Sequence, residues 1–110
     1  MEETKILEMI KTNPMAIRNI DNPTEEMKLL AVEKNGLLLR YIDNPTREMQ
    51  EIAMKNNARA IEYIINPTEE MMIEAVNKGW SNLNYIKNPT DNVIKLAIEQ
   101  RGWAIQYAKE

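Results

Sequence analysis

Cysteine and histidine are both absent from this 110-residue chain. Their absence excludes a disulfide framework, a thiolate nucleophile and nearly every zinc site, and it removes the usual general base at neutral pH. The single serine, Ser81, has no histidine to activate it. Glycine is almost as scarce. Gly36, Gly79 and Gly102 stand far apart, so no glycine-rich phosphate loop can form. There is no Asp-x-Asp-x-Asn-Gly loop for calcium. No run approaches the roughly 20 apolar residues of a membrane span, and the opening Met1-Glu-Glu-Thr-Lys lacks the basic-then-apolar layout of a secretory leader. These absences predict a non-enzymatic protein with no cofactor, no metal and no membrane partner. A cytoplasmic setting suits a chain without cysteine.

The charge balance is mildly acidic, 17 acidic side chains against 14 basic for a net charge of −3. A dedicated nucleic-acid binder usually carries a basic surplus, because its affinity comes largely from neutralising phosphates. With 44% hydrophobic and 28% charged residues, the composition is that of a folded chain, and the length predicts one domain, residues 1–110.

What the sequence does contain is a repeat. Asn-Pro-Thr begins at Asn22, Asn44, Asn66 and Asn88, a period of 22. Counting from that asparagine, position ten is Ala31, Ala53, Ala75 and Ala97, and position eleven is Val32, Met54, Val76 and Ile98. Position eighteen reads Leu39, Ile61, Leu83 and Ile105, and position twenty is Tyr41, Tyr63, Tyr85 and Tyr107. A degenerate first copy keeps Ile10, Ile17 and Ile20 in register while moving its Asn-Pro to Asn13-Pro14. The units are therefore 1–21, 22–43, 44–65, 66–87 and 88–110.

Each unit reads as a helix, a turn and a shorter helix. Proline suits the first helical positions, Asn or Thr supplies the capping oxygen, and Glu25, Glu26, Glu69 and Glu70 stand where the helix dipole favours anions. Asn35-Gly36, Gly79 and Gly102 are expected to stop the first helix in a left-handed cap. The second helix spans roughly Leu37 to Ile42. Neither helix is stable alone. The expected fold is all-α, an α-solenoid of five stacked two-helix repeats whose small alanines let the units approach closely.

The run Asn-Pro-Thr-x-Glu-Met-x-x-x-Ala-Val, followed by Asn-Gly and Leu-x-Tyr-Ile, resembles short helical repeats found in proteins of bacteria and phages. It is also similar to leucine-rich-repeat-variant and HEAT-like α-solenoids. The resemblance implies a surface that binds a macromolecule, with a protein as the first expectation, as in a phage-type inhibitor of a host defence complex or an adaptor. Some leucine-rich-repeat-variant proteins hold an iron–sulfur cluster on cysteines, which this chain lacks.

Stacking does not dictate the positions that vary between copies, so those are the candidate contacts. Position nineteen gives Arg18, Arg40, Glu62, Asn84 and Gln106, and position sixteen contributes Arg59 and Trp103. Trp80 and Trp103 each follow a glycine, and tryptophan is enriched at binding hot spots. The tyrosines are expected to pack between units with their hydroxyls at the rim. Arg18, Arg40 and Arg59 favour a nucleic-acid alternative, and a purely structural or oligomeric part is a second one. The apolar set of the C-terminal repeat, with Trp103 and Ile105, offers a surface for a homodimer or a partner.

Overall fold

The computed structural model describes the backbone of residues 2–108 and the side chains of residues 2–102. All regular structure among these residues is helical. Five α-helices alternate with four 3-10 helices: α1 (Glu3–Thr12), η1 (Pro14–Asn19), α2 (Glu25–Lys34), η2 (Gly36–Tyr41), α3 (Arg47–Asn56), η3 (Ala58–Tyr63), α4 (Glu69–Lys78), η4 (Trp80–Tyr85) and α5 (Asp91–Ala108). The short second helix of each of the first four units is thus a six-residue 3-10 segment. A tight helix of that length connects elements in the space of two turns.

The Asn-Pro-Thr ladder divides its work among three residues. Threonine is the cap: the backbone N–H groups of Met27, Met49 and Met71 each donate at 3.2 Å to Oγ1 of Thr24, Thr46 and Thr68, and Val93 does so to Thr90 at 3.3 Å. Proline stands one residue ahead of that cap, outside the helix, where it rigidifies the approach. Asparagine takes the left-handed conformation, with φ of 50°, 49° and 56° at Asn22, Asn44 and Asn66, a region that asparagine tolerates better than other side chains. The expected left-handed glycine caps do not occur. The α-helices end instead in extended backbone at Asn13, Asn35, Asn57 and Gly79. The side-chain carbonyls of Asn35 and Asn57 then accept from the N–H groups of Leu37 and Arg59, capping the 3-10 helix that follows. One residue at position fourteen closes one helix and opens the next.

That rule explains where the last unit departs from expectation. Position fourteen there is Arg101, a good helix former, and the chain continues as α-helix through Gly102 to Ala108. A lone interior glycine costs only about 1 kcal/mol, too little to end a helix whose stop residue is missing. The fifth unit is accordingly one long helix rather than two.

The units pack in series. Every α-helix from α2 to α5 rests on the preceding 3-10 helix, and the 3-10 helices contact one another in order. The molecule measures 56 × 30 × 17 Å along its principal axes. A continuous core runs through units two to five, with Ala53, Met54, Ala75, Val76 and Ile61 sealed from solvent, while Ile10, Ile17, Met27, Ala31 and Leu38 form a second cluster at the first junction. Position thirteen ties units together: Asn56 donates to Glu33 O and accepts from Gly36 N, and the Lys78 ammonium donates to Met54 O at 2.9 Å. Between α3 and α4 the helices stand apart, leaving a cleft of about 340 Å³ lined by Ile52, Met71 and charged side chains.

Thr46→Ala in the central cap should lower stability by about 1 kcal/mol, since one orphan N–H of α3 loses its acceptor. Chemical denaturation with an unchanged m-value would register this as a shift of midpoint.

Candidate functional site

The 3-10 helices form one edge of the molecule, and their repeat positions decide what that edge presents. Position twenty is tyrosine from the second unit on, and each of the first three units sends an arginine toward the ring of the unit after it. The Arg18 guanidinium carbon lies 6.0 Å from the Tyr41 ring centre, Arg40 lies 5.6 Å from Tyr63, and Arg59 lies 4.8 Å from Tyr85. Arg40 also sits 5.1 Å from the Tyr41 ring, so it bridges two tyrosines. The result is a row of alternating guanidinium and phenol along three unit junctions. Tyr63 and Tyr85 are partly buried against the core, as expected for rings packed between units, Tyr41 is more open, and a guanidinium lies over each of the three rings as well. Contacts of this kind contribute about 0.5–1 kcal/mol each at exposed sites.

The third arginine arrives by a different route. Arg18 and Arg40 stand at position nineteen, but that position in the third unit is Glu62, and Arg59 reaches Tyr85 from position sixteen. Its Nε is 3.4 Å from a Glu62 carboxylate oxygen. The hydrogen bond to Glu62, followed by the nearby Tyr85, raises the Arg59 pKa above its already high ordinary value, so its charge is permanent. Arg18 and Arg40 make no ion pair among the described residues.

Beside this row an open groove of about 1160 Å³ crosses units two to four and reaches the start of the fifth. Its walls include Arg40, Glu62, Tyr63, Tyr85 and the Asn-Pro turns at Asn44, Asn66 and Asn88. Ile65 also lines it and is 85% exposed. An isoleucine so bare is costly to leave in water, by roughly 25 cal/mol per Å² of apolar surface. The signal was present in the repeat: position twenty-two reads Asp21, Asp43, Ile65 and Lys87, one aliphatic among charges.

Of the residues singled out from sequence, Arg40 and Glu62 line the groove, and Arg18 and Arg59 continue the row on either side. Asn84 is exposed on η4, outside the groove walls. Trp80 opens η4 and is 38% exposed, with the Arg101 guanidinium carbon 5.7 Å from its ring centre; it does not line the groove. Trp103, Ile105 and Gln106 lie outside the described side chains. Among the described residues no three acidic groups gather to hold a metal ion, and no helix is long and apolar enough to cross a membrane. Compared with protein-family models, curated proteins and solved structures, the chain matches none.

Proposed function

We propose that this chain is an α-solenoid whose 3-10 edge binds an extended segment of a protein partner, without catalysis. The observation that carries the reading is the groove built from consecutive units with a bare isoleucine among its lining residues. Serial packing of near-identical units supports the solenoid description, since each unit buries its apolar stripe only by meeting its neighbours. A surface assembled from several units offers repeated, similar subsites to a linear ligand, which is how solenoids commonly use their long faces. The resemblance of the repeat to short helical repeats of bacteria and phages favours an inhibitor or adaptor acting in the cytoplasm.

The reading is tested by selecting from a random-peptide display library on the immobilised protein. Linear peptides should be enriched, and their affinity should fall at least about tenfold on Ile65→Asp, the effect of losing one buried apolar anchor. Because Ile65 is almost fully exposed, the same change should leave stability within about 0.5 kcal/mol of the parent. Failure to enrich any peptide, or enrichment of peptides indifferent to Ile65→Asp, would remove the groove from consideration.

A further inference from the structure

We infer that the partner segment is acidic, with carboxylates spaced to meet Arg18 and Arg40. The inference rests on the protein-binding reading and specifies its chemistry. Both guanidiniums are held over tyrosine faces, Arg18 at 6.0 Å from Tyr41 and Arg40 at 5.1 and 5.6 Å from Tyr41 and Tyr63. A guanidinium in this position is attracted by the ring face, and neither arginine donates a side-chain hydrogen bond among the described residues, so their N–H groups are free to meet a carboxylate. Neither has a carboxylate partner within the described chain, whereas Arg59, the third in the row, is already paired with Glu62 at 3.4 Å. Two positive charges therefore stand unpaired among the described residues at one end of the edge, and the bare Ile65 lies farther along it.

Geometry sets the register. Stacked helical units advance by about 8–10 Å, and an extended polyproline-like chain covers ~9.3 Å in three residues. Acidic residues three apart would thus face Arg18 and Arg40 in turn, with an apolar side chain following onto Ile65. Charge pattern favours such a peptide over a nucleic acid. Asp21 and Asp43 follow η1 and η2, Asp43 lining the groove, so a strand charged at every residue meets repulsion where a peptide can place neutral residues.

Fluorescence anisotropy with three labelled probes decides the matter: a Glu-Pro-Pro repeat ending in leucine, its Lys-Pro-Pro counterpart, and oligo-dT. At about 20 mM salt, where screening is weak, the glutamate peptide should bind and the lysine peptide should not. Arg18→Gln and Arg40→Gln should each weaken binding about tenfold, as expected for losing a charge-assisted hydrogen bond. Lys55→Gln, the same charge change in the cleft between α3 and α4, should leave binding unaltered. Arg40→Lys should recover part of the loss, and circular dichroism of each variant establishes that it is folded. The inference is overturned if the glutamate peptide fails to bind or binds Arg18→Gln and Arg40→Gln like the parent. Tighter binding of oligo-dT that Arg40→Gln abolishes would replace the peptide by a nucleic acid. Library peptides that need Ile65 but carry no acidic residues would sink this inference alone and leave the groove reading standing.

Discussion

Replacing Gly36 by alanine should destabilise the chain by about 2 kcal/mol, a large effect for one methyl group. Gly36 has no left-handed backbone to account for it; the reason is proximity. A Cβ built there would drive into the carbonyl oxygen of Ala53, with the Ala53 carbonyl carbon at 3.0 Å and its Cα at 3.3 Å. That carbonyl already accepts the N–H of Asn57 at 2.9 Å to close α3, and the Gly36 N–H donates to Asn56 Oδ1 at 2.7 Å. Moving the carbonyl breaks the bond that closes α3, and moving Gly36 breaks the one that joins units two and three. Gly79 is the control. Its Cβ would meet only Asn82 Nδ2, at an ordinary 3.6 Å, and it occupies the position held by Asn35 and Asn57 in earlier units. Gly79→Asn should therefore be neutral or stabilising by up to about 1 kcal/mol, by adding the missing cap and restricting the unfolded chain. Thermal melts of both variants check the pair, because ~1 kcal/mol moves the midpoint by roughly 4–8 °C at this size. Equal shifts for the two glycines would contradict the close approach at Gly36.

Met54→Ala should cost about 3 kcal/mol, while Ile98→Ala at the same repeat position should change stability by less than ~0.5 kcal/mol. Met54 is fully buried between α3 and the neighbouring elements, and truncation leaves a cavity that the surrounding alanines cannot fill. Ile98 stands 63% exposed on α5, which among the described residues no further unit covers. Urea titration of each variant measures the difference, with Val76→Ala as a second buried example at that position. Similar costs for Met54 and Ile98 would mean that another surface covers α5 in solution. The expected self-association through the C-terminal repeat would then account for it, and light scattering of the parent protein against Ile98→Glu would show the larger species.

The sequence by itself determined the helical units, their period and their core. A side chain repeated every 22 residues has the same neighbours in each copy, so the period alone assigns Ala53 and Ala75, Met49 and Met71, and Ile61 to the interior, where they lie. It also held the reason that α5 runs on, since Arg101 replaces the Asn or Gly that ends the other helices, while the glycine at the next position is a weaker signal that does not stop it. Only the tertiary structure decided which of Asn and Thr caps. Both side chains can serve, and threonine caps in all four copies, three of them with the asparagine at positive φ. The surface was the least legible part. Arg59 stands three positions away from the register of Arg18 and Arg40, yet reaches the equivalent ring because side-chain length and a 3-10 turn bring positions sixteen and nineteen to one face. Burial likewise depends on what lies over a residue, which is why one position of the repeat is sealed at Met54 and open at Ile98. Periodicity specifies which neighbours a repeated residue should have; whether they are present is settled only by the assembled stack.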